Sequence, residues 1–292
     1  VDTNWQDVIF RNAPTSNIEL STSGGNDKTK FFLSGNIFNQ EGTLIGTDYS
    51  RYSGRLNVDH TLSSKFALGA SLGISYAKTN RVEGDQSLHG VLPNGISTPA
   101  IYPVYNADGT YNQDGPYSNP VSIANEATNQ NFSFRTNGNV FLNYTIIPGL
   151  TFSTKWGIDF LNLREHAFEY NTVQGQKYNG LGFETYSNVS NLVSNNTLKY
   201  NFSIGKNTFD ILGGNSFEKR QTRSSYMRAQ DYPDENLQYA ISAATIVEAY
   251  ATGYDVGTLS YFGRINYNYG NKYIVSFSGR ADASSKFGPK NQ

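Results

Sequence analysis

A chain of 292 residues with 23 Lys+Arg against 24 Asp+Glu carries no electrostatic footprint for nucleic acid or an anionic membrane surface. It contains no cysteine, which excludes a disulfide scaffold, a Cys-ligated zinc site and a thiol nucleophile. Aromatics and glycine are abundant (21 Tyr, 18 Phe, 28 Gly) and charge is sparse, a mixture suited to strands and tight turns, and no run approaches the roughly 20 apolar residues of a spanning helix.

The polar mean hydropathy of -0.51 leaves a membrane barrel open, because a barrel strand shows only every second side chain to lipid. Period-two alternation dominates the chain. In chain order, weaker alternation marks Thr15 to Gly24 and Lys30 to Gln40. Tyr52, Leu56 and Val58 then oppose Arg51, Arg55, Asn57 and Asp59. From Phe66, one parity carries Leu68, Ala70, Leu72, Ile74 and Tyr76, and the other Gly69, Ser71, Gly73 and Ser75. Phe132, Phe134, Val140, Leu142 and Tyr144 oppose Ser133, Arg135, Asn137 and Asn143. Leu150, Phe152, Trp156, Ile158 and Phe160 oppose Thr151, Lys155 and Asp159. Asn188 to Tyr200 and Asn207 to Phe217 are weaker candidates. Tyr261, Ile265 and Tyr267, then Tyr273, Val275 and Phe277, complete a set of about ten strands.

Charge placement sharpens this pattern. Arg51, Arg55, Asp59, Arg135, Lys155, Asp159, Lys199, Asp210, Arg264 and Arg280 all fall on the polar parity, and Lys78 departs from it only at a strand end. A soluble sandwich also hides one face, but a cation facing mid-bilayer costs roughly 2–4 kcal/mol, so a transmembrane barrel requires this segregation. Connections alternate between short turns (Gly25-Asn26-Asp27, Leu62-Ser63-Ser64, Pro148-Gly149, Ile204-Gly205-Lys206, Gly270-Asn271) and longer links. The longer ones are Glu41 to Asp48 and three loops at about 79–131, 163–184 and 219–257. Short turns at one end and long loops outside the cell are the outer-membrane arrangement. Aromatics beside the short turns (Tyr144, Phe152, Tyr200, Phe209, Tyr267, Tyr269, Tyr273) suit an interfacial girdle. The expected fold is all-β: part of one antiparallel up-and-down transmembrane barrel spanning 1–292.

Four stretches carry a family resemblance. They are Asn4 to Pro14 (NWQDVIFRNAP), Ser23 to Gly35 (SGGNDKTKFFLSG), Asp48 to Asp59 (DYSRYSGRLNVD), and the late pair Tyr261 to Tyr269 (YFGRINYNY) and Arg280 to Gly288 (RADASSKFG). In order and together they resemble the SusC/RagA-type TonB-linked outer-membrane proteins of the Bacteroidetes. The resemblance implies a barrel of about 22 strands around an N-terminal plug. It also implies a SusD-like surface lipoprotein partner, and import of oligosaccharide or peptide with energy relayed by TonB through the plug. Plug and C-terminal strands have no counterpart here, so the chain reads as an internal piece of an outer-membrane barrel. A non-transporting receptor or adhesin, and a passive porin, are the alternative functions.

Catalysis finds little support. Asp59 and His60 are strand neighbours pointing to opposite faces, which leaves His60 an interface position near a turn. His89 is the third histidine, and His166 has Glu165 beside it, in a loop. Asn106 to Gly115 (NADGTYNQDG) alternates oxygen ligands but misplaces the glycine and lacks the closing Glu of a calcium loop, and its residues also make ordinary turns. No cofactor or metal is expected. The candidate ligand residues are Tyr102, Tyr105, Tyr111, Tyr117, Asn112 and Asp114, because tyrosine faces suit sugar rings and amides and carboxylates suit hydroxyls. The same tyrosines could instead pack the loop on itself or on the lipoprotein. Leu237 to Ala249 is a candidate short helix at the mouth. Arg51, Arg55, Arg135, Arg264 and Arg280 are expected to line the lumen, contacting solute or pairing with carboxylates of plug or neighbouring strands.

Overall fold

The computed structural model describes residues 2–82, 89–170, 178–234 and 236–288. Ten strands form one sheet in simple sequence order, every neighbour antiparallel. They are β1 (Thr15–Gly25), β2 (Thr29–Glu41), β3 (Asp48–Thr61), β4 (Phe66–Asn80), β5 (Thr128–Ile147), β6 (Leu150–Glu169), β7 (Leu181–Ile204), β8 (Asn207–Gln230), β9 (Thr245–Tyr269) and β10 (Tyr273–Ser284). Three short helices accompany them: α1 (Trp5–Ile9), α2 (Val91–Ser97) and α3 (Pro120–Glu126). Turn chemistry sets the hairpins. Gly149 sits at φ 85°, and a side chain there would meet the Asn201 carbonyl at 2.2 Å, so only glycine fits.

The register carries the alternation across the sheet. Phe31, Val58, Ala70, Val140, Trp156, Ser194, Phe217 and Leu259 share one cross-strand row, and Ile18, Ile37, Tyr52, Tyr76 and Phe134 another. These apolar rows are bare: Leu72 is 42% exposed, Trp156 46% and Ile158 49%. On β4 the opposite parity is the more enclosed one, with Gly69 and Ala77 buried and Ser71, Gly73 and Ser75 half-buried. A water-soluble fold would bury the first set and expose the second. The arrangement is inside-out, as lipid demands.

The apolar band also slides along the strands. Its lower edge lies near Phe31 on β2 and reaches Asn207 and Tyr269 on β8 and β9, several residues further toward the short turns. Strands tilted by roughly 45° to the membrane normal produce this drift. At the short-turn edge the aromatics gather. Phe66 stacks on Tyr144 (4.4 Å between centroids), Phe202 on Tyr200 and Phe209 (4.7 and 5.0 Å), and Tyr269 lies 6.5 Å from Tyr273.

Three expectations change. The strands run further than alternation shows, so the links expected at about 163–184 and 219–257 contract to 170–180 and 231–244, with 171–177 and 235 outside the described residues. Above the band both faces are wet, as in Glu218 to Arg223, and alternation vanishes while β8 still pairs with β9 through Gln230. The link expected at about 79–131 begins after Asn80, ends before Thr128 and holds α2 and α3, with 83–88 outside the described residues. Leu237 to Ala249 forms no α-helix: a 3₁₀ turn covers Ala240–Ser242, and the β-branched run Thr245, Ile246, Val247 opens β9.

Two small cores sit at the long-connection end. Ile9, Val91, Ile123 and Ala124 join α1 to α2 and α3, and Phe168, Ala229, Tyr232 and Ala240 pin the β8–β9 link to the ends of β6 and β8.

Candidate functional site

The face opposite the apolar band is a wall of polar and charged side chains, and register places all five predicted arginines on it. Arg135 clamps Asp159 across the strands, Nε to Oδ1 at 2.9 Å and Nη2 to Oδ2 at 2.6 Å. Asp210 accepts Lys199 at 3.0 Å and Arg264 at 3.3 Å. Arg280 donates to Asp282 at 2.7 Å and to Ser260 at 2.9 Å. Arg51 lies over the Phe38 ring at 5.7 Å, and Arg55 lines a groove with Asn17, Glu19, Ser34 and Asn137. Arg135, Arg264 and Arg280 therefore pair with strand carboxylates, while Arg51 and Arg55 meet no carboxylate at ion-pair distance among the described residues. Because Arg135 and Asp159 are 53% and 40% exposed, a double-mutant cycle on the pair is expected to return only about 0.5–1 kcal/mol. A value of several kcal/mol would mean that the wall is dry.

At the mouth the β4–β5 segment supplies the other candidates. Residues 105–111 form a small hairpin: Tyr105 bridges Tyr111, their rings 5.3 Å apart, and the Asn106 and Thr110 backbones pair at 2.8 Å. The Asp108 carboxylate accepts from the Thr110 hydroxyl and N–H, which holds its pKa below the usual carboxylate range. Asn106 to Gly115 is thus ordinary turn structure. Asn112 is buried and its amide donates to Asn106 and Asp114, Tyr102 is half-buried with its ring 3.6 Å from the Cβ position of Gly115, and the Tyr111 hydroxyl accepts from Asn125. Tyr105 and Tyr117 are 51% and 46% exposed, and Asp114 is exposed as well. The six candidates share one segment, but Tyr102, Tyr111 and Asn112 spend their polar or ring faces inside it.

Sequence reasoning missed Asn119, which organises the segment. It is 2% exposed; its Oδ1 accepts from the N–H groups of Val121 and Ser122, and its Nδ2 donates to the carbonyls of Val104 and Asn112. Asn before Pro120 is a helix-start signal, an N-cap with proline at the first helical position, and could have located α3. Asn119→Ala is expected to loosen the segment by about 2 kcal/mol, seen as faster amide exchange over 104–126 with the strands unchanged. Equal exchange would deny Asn119 this role.

Neither His60 nor His166 is paired with the acidic residue beside it in sequence. His60 Nδ1 lies 2.7 Å from Thr29 Oγ1 near the short-turn edge. His166 lies in β6, not in a loop; Glu165 points to the other face and pairs with Arg81 at 3.0 Å, and His166 instead faces Glu184 at 3.9 Å. Among the described residues no group of three or more His, Cys, Asp and Glu is placed to hold a metal.

An antiparallel sheet with a bare, tilted apolar band on one face and a charged wall on the other is the wall of an outer-membrane β-barrel. Known proteins give the same answer. No protein-family model matches the chain. TonB-dependent receptor P3 of Formosa agariphila is 30% identical over the whole chain, and TonB-dependent receptor SusC of Bacteroides thetaiotaomicron 26%. The solved RagAB peptide transporter superposes on the whole chain with a TM-score of 0.81 at 25% identity, covering 34% of that protein. The siderophore receptor PiuA of Acinetobacter baumannii shares the fold alone, at TM-score 0.55 and 12% identity. The chain belongs to the SusC/RagA-type TonB-dependent receptors, and it spans 27–31% of the length of the curated relatives it matches.

Proposed function

We propose that the receptor containing this wall imports a nutrient oligomer, glycan ahead of peptide, across the outer membrane. A SusD-like lipoprotein sits over its long-connection end, and TonB acts through a plug. The observation that carries the solute reading is the mouth segment, where Tyr105, Asp114 and Tyr117 are all exposed. Ring faces accept the apolar face of a sugar, and the carboxylate accepts hydroxyls. A peptide is the second reading, favoured by the RagAB neighbour being a peptide transporter.

The test is ligand affinity in the complete receptor, offered glycan and peptide pools separately. Tyr105→Ala and Tyr117→Ala together are expected to weaken binding of the true ligand about tenfold, at roughly 0.5–1.5 kcal/mol per ring. Unchanged affinity for both pools would reject direct contact by this segment. A receptor gene without plug or TonB-contacting segment would instead support the adhesin or porin alternatives.

A further inference from the structure

The outward face changes character abruptly where the apolar band ends. On β4 the last band residue is Tyr76 and the next on the same face is Lys78; on β6, Phe160 gives way to Asn162 and then Arg164. Register puts Lys78, Phe132, Arg164 and Tyr186 in one cross-strand row just outside the band. Lys78 Nζ and the Arg164 guanidinium both lie over the Phe132 ring, at 5.7 and 5.8 Å. Arg164 is also held over Tyr186 at 5.7 Å and over Tyr239, from the β8–β9 link, at 5.4 Å.

Among the described residues neither cation has a carboxylate in ion-pair contact. Glu165 is on the other face with Arg81, and Glu184 accepts from the Ala240 N–H and faces His166. Arg164 Nε is buried with no hydrogen-bond partner. Glu184, on the same face, acts on Arg164 only from beyond ion-pair distance, and Tyr239 also holds the guanidinium. Two cations over one ring still repel each other, and an anion in direct contact with both would lower that cost. Elsewhere on this boundary the charges are balanced: Lys219 and Arg223 share Asp255, at 4.0 and 2.6 Å.

We propose that Lys78 and Arg164, caged by Phe132, Tyr186 and Tyr239, bind the phosphate of an anionic glycolipid of the outer leaflet. The position argues for lipid over other anions. The pair faces outward, directly above the side chains that meet hydrocarbon, at the depth where headgroup phosphates lie. This rests on the proposed orientation with the long connections outside the cell, and it is independent of which solute is carried.

The test uses the complete receptor in neutral detergent, with native mass spectrometry after adding phosphorylated lipid A, dephosphorylated lipid A, or inorganic phosphate as competitor. The wild type is expected to retain the phosphorylated lipid. Lys78→Gln with Arg164→Gln should lower retention about tenfold or more, near fivefold for each cation, and Lys219→Gln should leave it unchanged. Should Arg164→Gln fail to fold, Lys78→Gln alone still reads the single step. Equal retention by wild type and variants, or equal retention of the dephosphorylated lipid, would overturn the proposal. Displacement by millimolar inorganic phosphate would make it a free-anion site and overturn the lipid assignment. Unchanged solute uptake in the variants, with lipid retention lost, separates this site from the transport reading.

Discussion

Replacing Ile158 with arginine is expected to destabilise the assembled receptor by about 2–4 kcal/mol, although the residue is 49% exposed. On a soluble protein an exposed isoleucine tolerates this change within about 0.5 kcal/mol. Here the exposed side is the one turned to hydrocarbon. Ile158 lies in the middle of the band, between Gly138 and Leu192 in its cross-strand row, too deep for the arginine to reach a headgroup without strain. The control is Asn137→Arg on the opposite face, where the cross-strand neighbour is Asp159. That variant should cost less than about 1 kcal/mol, since a charged side chain there stays in water beside a carboxylate. Reversible unfolding of the receptor in lipid vesicles measures both. Equal costs would mean that the two faces do not differ in solvent.

Truncating Tyr232 should release the link over the ends of β6–β8. The ring is 2% exposed and meets Phe168 edge-on at 4.9 Å. It lies so close to Gly182 that a side chain there would touch the hydroxyl at 2.0 Å. Tyr232→Ala is expected to cost about 3–5 kcal/mol of local closure, read as lost amide protection over 231–244 with the membrane-level strands unaffected. The hydroxyl itself is buried without a partner, so Tyr232→Phe should be neutral or slightly stabilising. Burial first, and then the negative charge of Glu184, push its pKa up to about 12. A raised pKa favours the neutral form in the closed state. Closure should therefore hold steady below pH 10 and weaken between pH 10 and about 12, as the opened tyrosine ionises first. Loss of protection in Tyr232→Phe equal to that in Tyr232→Ala would assign the effect to the hydroxyl instead.

The strands within the band were legible because lipid on one side and water on the other impose period two. Trp156, Ile158 and Phe160 against Lys155 and Asp159 show the pattern in six residues. The upper halves of β7 to β9 were not, because Arg220, Gln221, Arg223 and Asp255 lie where water reaches both faces and any parity is tolerated. Inner-wall apolar residues such as Leu212 and Phe262, in register with Arg264 and Gly214, also blur the alternation. The arginine wall could be assigned to one face, but its division into paired and unpaired members depends on diagonal cross-strand reach. Arg135 meets Asp159 although its direct partner is Leu161. The mouth segment was recognised by its tyrosines, and its architecture turns on Asn119, a single side chain with four hydrogen bonds.

The chain lacks cysteine, so single cysteines carrying a nitroxide label can be placed at each position from 155 to 160 of the receptor in lipid. Collision with oxygen, which concentrates in hydrocarbon, should peak at 156, 158 and 160. Collision with a water-soluble nickel chelate should peak at 155, 157 and 159. The opposite phase, or no alternation at all, would contradict a lipid-facing Trp156 side and with it the barrel-wall account.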